Sequence, residues 1–285
     1  MQDLKPTNLA QGLVMPEGPR WHDGKLYVSD IFGGRVVTVD PADGTVETVA
    51  EVSSWPSGLG FRGDQLLITS MQDGLLLGIT AGGGLETVKD LSPYGDGTHY
   101  WGCIINDMVV DGRGNAYIGV YGVGHENRET GILLVRPDGS ALEVANGIAG
   151  VNGLVVTPDY KTLIVAELDS DHLTAFDIAD DGTLSNSRVW ARVPGATPDG
   201  ICLDAEGAIW FGSVYTHEFF RVAEGGEVLA KVEIDRCAIA PAFGGPNNST
   251  LYLCTAETSK AQLAKGEAVG FIDYMEVDVP GAGWP

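Results

Sequence analysis

The sequence is poor in positive charge: 17 Lys and Arg residues stand against 39 Asp and Glu residues, so that the net charge is −22 at pH 7. An acidic surface of this kind repels nucleic acid and anionic lipid, and no basic patch offsets it. We therefore expect neither nucleic acid nor a membrane as a partner. The excess of acid also raises the local concentration of cations, which weakly favours a metal site.

Cysteine is scarce, and the four thiols are scattered. Cys103, Cys202, Cys237 and Cys254 form no CxxC pair, which argues against a zinc knuckle or a redox pair. No apolar run approaches the roughly 20 residues that a membrane-spanning helix needs. Residues 1–12 lack a basic segment followed by an apolar one, so we expect no signal peptide and a cytoplasmic location. In such a chain the thiols are expected to be buried as small hydrophobic side chains.

Motifs of several enzyme classes are missing as well. The chain has no GxSxG nucleophile elbow, no P-loop and no GxGxxG in a βαβ context. Its five histidines show no Ser-His-Asp pattern and no His-x-x-x-His pair. These absences argue against serine hydrolases of the nucleophile-elbow type, P-loop nucleotide hydrolases and Rossmann dehydrogenases.

Glycine, with 40 residues, is abundant and belongs to an internal repeat. A typical unit opens with Pro or Asn close to Gly, continues into a short apolar strand and reaches a second apolar strand after a turn. Pro56-Ser57-Gly58-Leu59, followed by Gln65-Leu66-Leu67-Ile68-Thr69, is one example. Six openings around positions 17, 57, 106, 152, 199 and 243 are separated by steps of 40 to 49 residues. That spacing is typical of one four-stranded propeller blade per unit.

The repeat predicts the fold class. We predict an all-β six-bladed β-propeller with four-stranded blades around a central channel, as a single domain over residues 1–285. A jelly roll would also be all-β, but it would not repeat the same opening six times. The strand-like residues 8–14 are expected to complete the last blade and to close the ring without free edges.

The residue just before each innermost strand is expected to point into the mouth of the channel, so these residues should form a ring. They are Glu17, Ser57, Asn106, Asn152, Asp199 and Phe243. Carboxylates on one narrow axis repel each other, and a cation relieves that repulsion. The carboxylate and carboxamide oxygens predict one divalent ion, with Ca²⁺ as the best fit and Mg²⁺, Mn²⁺, Fe²⁺ and Zn²⁺ as alternatives. The ring contains no His or Cys, which argues against a dedicated zinc site.

The openings also carry a family resemblance across nearly the whole chain. The chain resembles the senescence marker protein/gluconolactonase/luciferin-regenerating enzyme family in the motifs Glu17-Gly18-Pro19-Arg20-Trp21, Asn106-Asp107, Asn152-Gly153-Leu154, Pro198-Asp199-Gly200 and Ala242-Phe243-Gly244-Gly245-Pro246. The resemblance implies a metal held by Glu17, Asn152 and Asp199, with Asn106 as a fourth ligand or a substrate contact. It also implies metal-dependent lactonase chemistry, with Asp199 as the candidate catalytic base. Activation of the water by the ion alone is the alternative.

One position departs from the family pattern. Sugar-lactone members often carry Arg two residues before the Asn of the Asn-Asp motif, and here that residue is Ile104. The loss of a bidentate guanidinium donor predicts a lactone that is less hydroxylated than gluconolactone. We predict that Ile104, Trp101, Tyr121 and Asn106 contact this substrate. Residues 121–129 are a candidate lid over the channel, with a solvated loop as the alternative.

Three other functions stay open on the sequence alone. The same metal could polarise the P=O group of a phosphotriester. A related propeller could act as a lyase or cyclase in which an acid in the pocket replaces the metal. A third alternative is a calcium-buffering or protein-binding propeller without catalytic activity. The sequence does not predict an oligomeric state.

Overall fold

The structure is a computed structural model that describes residues 5–97, 102–121 and 130–283. Over these residues the chain forms six four-stranded antiparallel sheets, which are the blades of a six-bladed β-propeller. From the innermost to the outermost strand, blade 1 consists of β2 (Pro16–His22), β3 (Lys25–Asp30), β4 (Arg35–Val39) and β5 (Val46–Glu51), and blade 2 of β6 (Pro56–Arg62), β7 (Gln65–Ser70), β8 (Leu75–Ile79) and β9 (Leu85–Asp90). Blade 3 consists of β10 (Ile105–Val110), β11 (Ala116–Tyr121), β12 (Thr130–Val135) and β13 (Ala141–Ile148), and blade 4 of β14 (Val151–Val156), β15 (Thr162–Glu167), β16 (His172–Ile178) and β17 (Leu184–Arg192). Blade 5 consists of β18 (Pro198–Leu203), β19 (Ile209–Ser213), β20 (Glu218–Val222) and β21 (Val228–Glu233), and blade 6 of β22 (Cys237–Gly244), β23 (Thr250–Glu257), β24 (Val269–Glu276) and β1 (Thr7–Leu13).

The predicted fold class and the predicted second strands are confirmed. Helical structure in the described residues is limited to a 3₁₀ turn at Ser92–Tyr94 and the short helix α1 (Lys260–Leu263). Neither is long and apolar enough to cross a membrane. The four cysteines are buried and unpaired, as expected.

The ring is closed by the N-terminal strand. Strand β1 pairs antiparallel with β24, with Thr7 opposite Tyr274 and Gln11 opposite Phe271. The last blade therefore takes its outer strand from the start of the chain, as the sequence predicted for residues 8–14. Because this pairing covers an edge of β24, the first and last repeats are held together by backbone hydrogen bonds.

Glycines beside the ring positions allow the innermost strands to approach one another closely. A Cβ on Gly58 would lie 2.3 Å from the amide nitrogen of Met108, and one on Gly153 would lie 2.6 Å from that of Ile201. Side chains at these positions would push neighbouring blades apart, because real Cβ contacts are not so short. The repeated glycine thus follows from the packing around the channel axis.

One ring position was predicted wrongly. Phe243 is the seventh of the eight residues of β22, so it lies at the far end of that strand. The residue at the level of the other ring members is Ala238, which pairs with Thr255 just before a register shift, as Glu17 pairs with Ser29 before a shift in β2. The Gly-rich sequence after Phe243 resembles the other openings, but it precedes the turn into β23. The ring therefore has five polar members and one alanine.

Ring closure can be tested with a matched pair of substitutions in β1. Ala10 is 4% exposed and packs in the core, whereas Gln11 is exposed. We expect Ala10→Asp to lower the free energy of unfolding by about 3 kcal/mol or more, because it buries an unpaired charge. Gln11→Asp introduces the same charge and should change the free energy of unfolding by less than about 0.5 kcal/mol. Urea unfolding measures both, and equal effects would contradict the docking of β1.

Candidate metal centre

Four of the predicted ring residues line one cavity at the mouth of the channel. Glu17, Asn106, Asn152 and Asp199 are each the second residue of a different inner strand, and all four reach the same cavity of about 80 Å³. Their exposed fractions are 5%, 7%, 6% and 7%. This space can hold several water molecules or part of a small ligand. The fold thus brings together the predicted oxygen donors from blades 1, 3, 4 and 5.

Several of these oxygens have no hydrogen-bond partner within the protein. Both carboxylate oxygens of Glu17 and the Oδ1 atom of Asn152 are buried and unpartnered. Buried polar atoms are nearly always hydrogen-bonded, because an unsatisfied one costs about 1–3 kcal/mol and a charged one costs more. A bound cation would satisfy these unpartnered acceptors, which share one cavity. The residues present therefore fit a metal ion.

Asn106 differs from the other ring residues because its side chain is already engaged. Its Oδ1 accepts a hydrogen bond of 3.0 Å from the hydroxyl of Ser57, the ring member of blade 2. Its Nδ2 donates to the hydroxyl of Tyr121 at 2.7 Å, and that hydroxyl donates to the carbonyl oxygen of Val151 at 3.0 Å. These bonds fix the orientation of the carboxamide. One amide hydrogen and one acceptor lone pair of Asn106 are left for a ligand.

Burial and mutual repulsion shift the carboxyl groups toward their protonated forms in the metal-free protein. Burial, then the charge of Asp199 and then that of Asp107, raise the pKa of Glu17 well above its ordinary value. Burial and then Asp107 raise the pKa of Asp199, while the Asn152 side chain lowers it through a hydrogen bond. A cation between these groups would reverse the effect by favouring the charged forms.

The donor set consists of oxygen atoms alone. The described residues contain no group of three or more His, Cys, Asp and Glu side chains that could hold a metal ion. The candidate ligands are instead two carboxylates and one or two carboxamides. Carboxylate and amide oxygens suit a hard ion such as Ca²⁺ or Mg²⁺ better than a zinc ion held by thiolates or imidazoles.

The walls above these oxygens are mostly apolar. They are formed by Met15, Ile31, Met71, Cys103, Leu168, Val214 and Leu263, together with the rings of Tyr121 and Tyr215. Burial raises the pKa of the Cys103 thiol to about 12, so this wall residue stays neutral. No lysine or arginine belongs to the described lining of the cavity. A ligand in this cavity meets polar groups at the floor and apolar groups at the sides.

The predicted substrate contacts are placed only in part. Asn106 and Tyr121 line the cavity, but Ile104 does not, and its neighbour Cys103 does. The Cγ2 atom of Ile104 lies against two glycines, where a Cβ on Gly74 or Gly95 would come within 3.0 and 2.6 Å of it. Ile104 is therefore not part of the described cavity lining, and its contact with the ligand stays a prediction. Trp101 and residues 122–129 of the candidate lid lie outside the described residues.

Two charged residues near the floor were missed as candidates. Asp107 follows Asn106, is 3% exposed and has an unpartnered Oδ1, and burial raises its pKa to about 6. Arg20 is 8% exposed and deeper in the channel, three residues after Glu17. A signal for Asp107 was present in the sequence, because the residue after the ring position is glycine in four blades and aspartate in this one.

These features define a six-bladed β-propeller with a buried, oxygen-only cluster at one mouth of its channel. The family follows from sequence comparison. The chain belongs to the SMP-30/gluconolactonase/LRE-like family, whose model matches residues 15–257, and it is a lactonase-family hydrolase.

Individual relatives agree with this membership. The chain is 27% identical over 293 residues to a 6-deoxy-6-sulfogluconolactonase from Pseudomonas putida, with 100% of this chain and 99% of the relative covered. A solved structure of luciferin-regenerating enzyme matches with a TM-score of 0.80 at 18% identity, over 97% of each chain. A calcium-binding protein, regucalcin, from Agrobacterium tumefaciens matches with a TM-score of 0.73 at 20% identity, over 96% of this chain and 98% of that one. At these identities the two structures support the fold alone.

The raised pKa values predict that the metal-free protein loses stability as the pH rises. A carboxyl group whose pKa is higher in the folded state stabilises the fold below its unfolded pKa of roughly 4, and this contribution is lost as the pH rises through the folded pKa. Glu17→Gln and Asp199→Asn remove the buried charges. Both variants should therefore melt a few degrees higher than the wild type at pH 8 in chelator, and the difference should shrink toward pH 4.

The exposed Asp138 offers a control, because hydrogen bonds from Ser140 lower its pKa. Asp138→Asn should give no gain in melting temperature at pH 8. If Glu17→Gln and Asp199→Asn were less stable than the wild type at pH 8 without metal, the buried carboxylates would have partners that satisfy them.

Proposed function

We propose that this protein hydrolyses a small lactone with one divalent metal ion bound at the channel mouth. The observation that carries the proposal is the set of unpartnered, buried oxygens of Glu17 and Asn152 beside Asp199. Keeping such a set in a protein without a cation is costly. The family contains lactonases, and the relative from P. putida is named as one.

The positions of the residues support the following roles. Glu17, Asn152 and Asp199 would hold the ion, and Asn106 would be a fourth ligand or a substrate contact. A bound divalent ion supplies Lewis-acid polarisation of the lactone carbonyl. Asp199 accepts a proton from the water that attacks the carbonyl carbon. The ring C–O bond then breaks, the leaving oxygen takes the proton held by Asp199, and the product is a hydroxy acid.

Asn106 is suited to orient the substrate. Its bonds to Ser57 and Tyr121 hold the carboxamide in one orientation. The remaining amide hydrogen can be donated to an oxygen of the lactone. A polar group that is already fixed by its neighbours loses little side-chain entropy when it binds a ligand.

The proposed ion is Ca²⁺, with Mg²⁺, Mn²⁺, Fe²⁺ and Zn²⁺ as the alternatives to be tested. The donors are carboxylate and carboxamide oxygens, which hard cations prefer. The structural relative from A. tumefaciens is described as a calcium-binding protein. The assay therefore compares all five ions.

The apolar walls support a lactone with few hydroxyl groups. Met15, Ile31, Met71, Leu168 and Val214 offer no hydrogen bond to a polyhydroxylated ring. A sulfonated sugar lactone, as in the name of the P. putida relative, would in addition need a cationic partner, and the described lining has none. The cavity walls now carry the argument that the sequence first placed on Ile104. Alkyl and aryl lactones are therefore the proposed substrate class.

Metal dependence and the role of Asp199 can be tested together. Chelator-treated protein should not hydrolyse lactones in a pH-indicator assay, and added Ca²⁺, Mg²⁺, Mn²⁺, Zn²⁺ or anaerobic Fe²⁺ should restore turnover. We expect Asp199→Asn to lower kcat by about 100-fold or more, because general-base catalysis contributes about that much. Asp138→Asn serves as the control, since this carboxylate is exposed, and it should keep full activity.

Circular dichroism must show that Asp199→Asn is folded. Activity that survives complete chelation would contradict the proposed metal and favour a pocket acid. Turnover of phosphotriesters without turnover of any lactone would contradict the proposed reaction.

The substrate class is tested by a panel of lactones on the metal-loaded enzyme. We expect kcat/KM for alkyl and aryl lactones to exceed that for glucono- and xylonolactone by roughly tenfold or more, because hydroxyl groups against an apolar wall lose their hydrogen bonds to water. A preference of the opposite sign would overturn the argument from the cavity walls. A preference for the sulfonated sugar lactone would indicate a cation outside the described lining.

A further inference from the structure

A buried arginine crosses the channel below the ring of oxygens. Arg20 belongs to β2, and its Nη1 donates to the carbonyl oxygen of Pro19 at 2.8 Å. Its Nη2 donates to the carbonyl oxygen of Met108 at 2.7 Å. Met108 lies in β10, the inner strand of blade 3, so the guanidinium reaches from the first blade to the third. The side chain therefore spans the channel close to its axis.

This guanidinium lies beside the carboxylates of the candidate site. Met108 is the residue next to Asp107, and Glu17 is on the same strand as Arg20. Arg20 Nε and Asp107 Oδ1 are both buried without a hydrogen-bond partner. Arginine remains charged in proteins, and an isolated buried cation is very costly. Burial lowers the pKa of Arg20, whereas the charge of Asp107 and, to a smaller extent, that of Glu17 raise this pKa.

The thiols near Arg20 and the Tyr121 hydroxyl near Asp107 add no charge. Burial raises the pKa of the thiols of Cys202 and Cys254 and that of the Tyr121 hydroxyl, so all three are neutral at pH 7. The charged groups of the described channel floor are then the carboxylates of Glu17, Asp107 and Asp199 and the guanidinium of Arg20. In their ionised forms, the three carboxylates and the guanidinium together carry two net negative charges.

We propose that Arg20 is a built-in counter-charge that sets the net charge of the metal site to that of a divalent ion. This inference rests on the metal site of the proposed function. A site with two negative charges is neutralised by one divalent ion. Without Arg20 the carboxylates of Glu17, Asp107 and Asp199 would carry three negative charges, which a trivalent ion matches. Arg20 is thus a residue that determines cation valence without touching the substrate.

The inference predicts opposite effects for removal of the positive and of the negative charge. We expect Arg20→Met to raise the ratio of the Tb³⁺ to the Ca²⁺ association constant by roughly tenfold, because the trivalent ion gains more from each added negative charge. Asp107→Asn should lower this ratio by a similar factor. The double variant Arg20→Met/Asp107→Asn restores the net charge and should return to the wild-type ratio.

The probes are Ca²⁺ by calorimetry and Tb³⁺ by luminescence, on full-length protein stripped of metal. Arg20→Lys keeps the charge and should keep the ratio within about threefold. Arg62→Met is the matched control, because Arg62 also donates to two backbone carbonyl oxygens, those of Gly114 and Val135, outside the channel. It should leave the ratio unchanged even if it lowers stability.

The outcomes separate the inference from the function on which it rests. Wild-type protein that binds neither ion would overturn the metal site and the inference with it. Wild-type binding of both ions, with a ratio that Arg20→Met leaves unchanged, would overturn the inference alone. If Arg20→Met does not fold, the comparison of Asp107→Asn with the double variant decides. If the double variant also fails to fold, the role of Arg20 is to stabilise the fold and the inference is wrong.

Discussion

The mutual repulsion of carboxylates buried around one axis is the constraint on which the rest of this structure depends. Glu17, Asp107 and Asp199 are nearly inaccessible to water, and burial raises the pKa of each. A fold that keeps these repelling groups together must be stabilised by interactions in other parts of the molecule. The propeller does so with six sheets whose inner strands contact one another in succession around the channel. Closure by β1 matters for the same reason, because an open ring would let the charged strands separate.

The sequence predicted the framework of this site because its causes are local and repeated. Four-stranded units recur with short apolar strands and turn glycines, and five of the six inner strands carry a polar residue at the ring position. Glu17, Asn106, Asn152 and Asp199 could therefore be found by position alone, and the structure brings all four to one cavity. The closing strand was predictable for the same reason, since a propeller without it would leave an exposed edge.

What the sequence did not predict concerns register and long-range contacts. Phe243 was chosen because Gly-rich residues follow it, but register depends on pairing with β23, which places Ala238 at the ring. Ile104 was expected to contact the ligand because it stands where sugar-lactone members often carry Arg, whereas in the structure its side chain lies against Gly74 and Gly95. Arg20 escaped notice because its significance comes from a hydrogen bond to a residue 88 positions away. None of these can be deduced from a repeat pattern, since each depends on which blades face each other.

The arrangement of polar and apolar groups in the cavity favours a division of roles between floor and walls. At the floor, a cation would match the charge of the carboxylates, part of which Arg20 would offset. At the walls, Met71, Leu168 and Val214 exclude water, which strengthens electrostatic interactions at the floor. The same exclusion makes each unpartnered oxygen more costly in the metal-free protein. Ion binding and folding stability are therefore coupled, because a ligand that binds only the folded state stabilises that state. Here a bound ion would also remove the repulsion between the buried carboxylates. A site of this kind is expected to bind its ion tightly and to be most strained when the ion is absent.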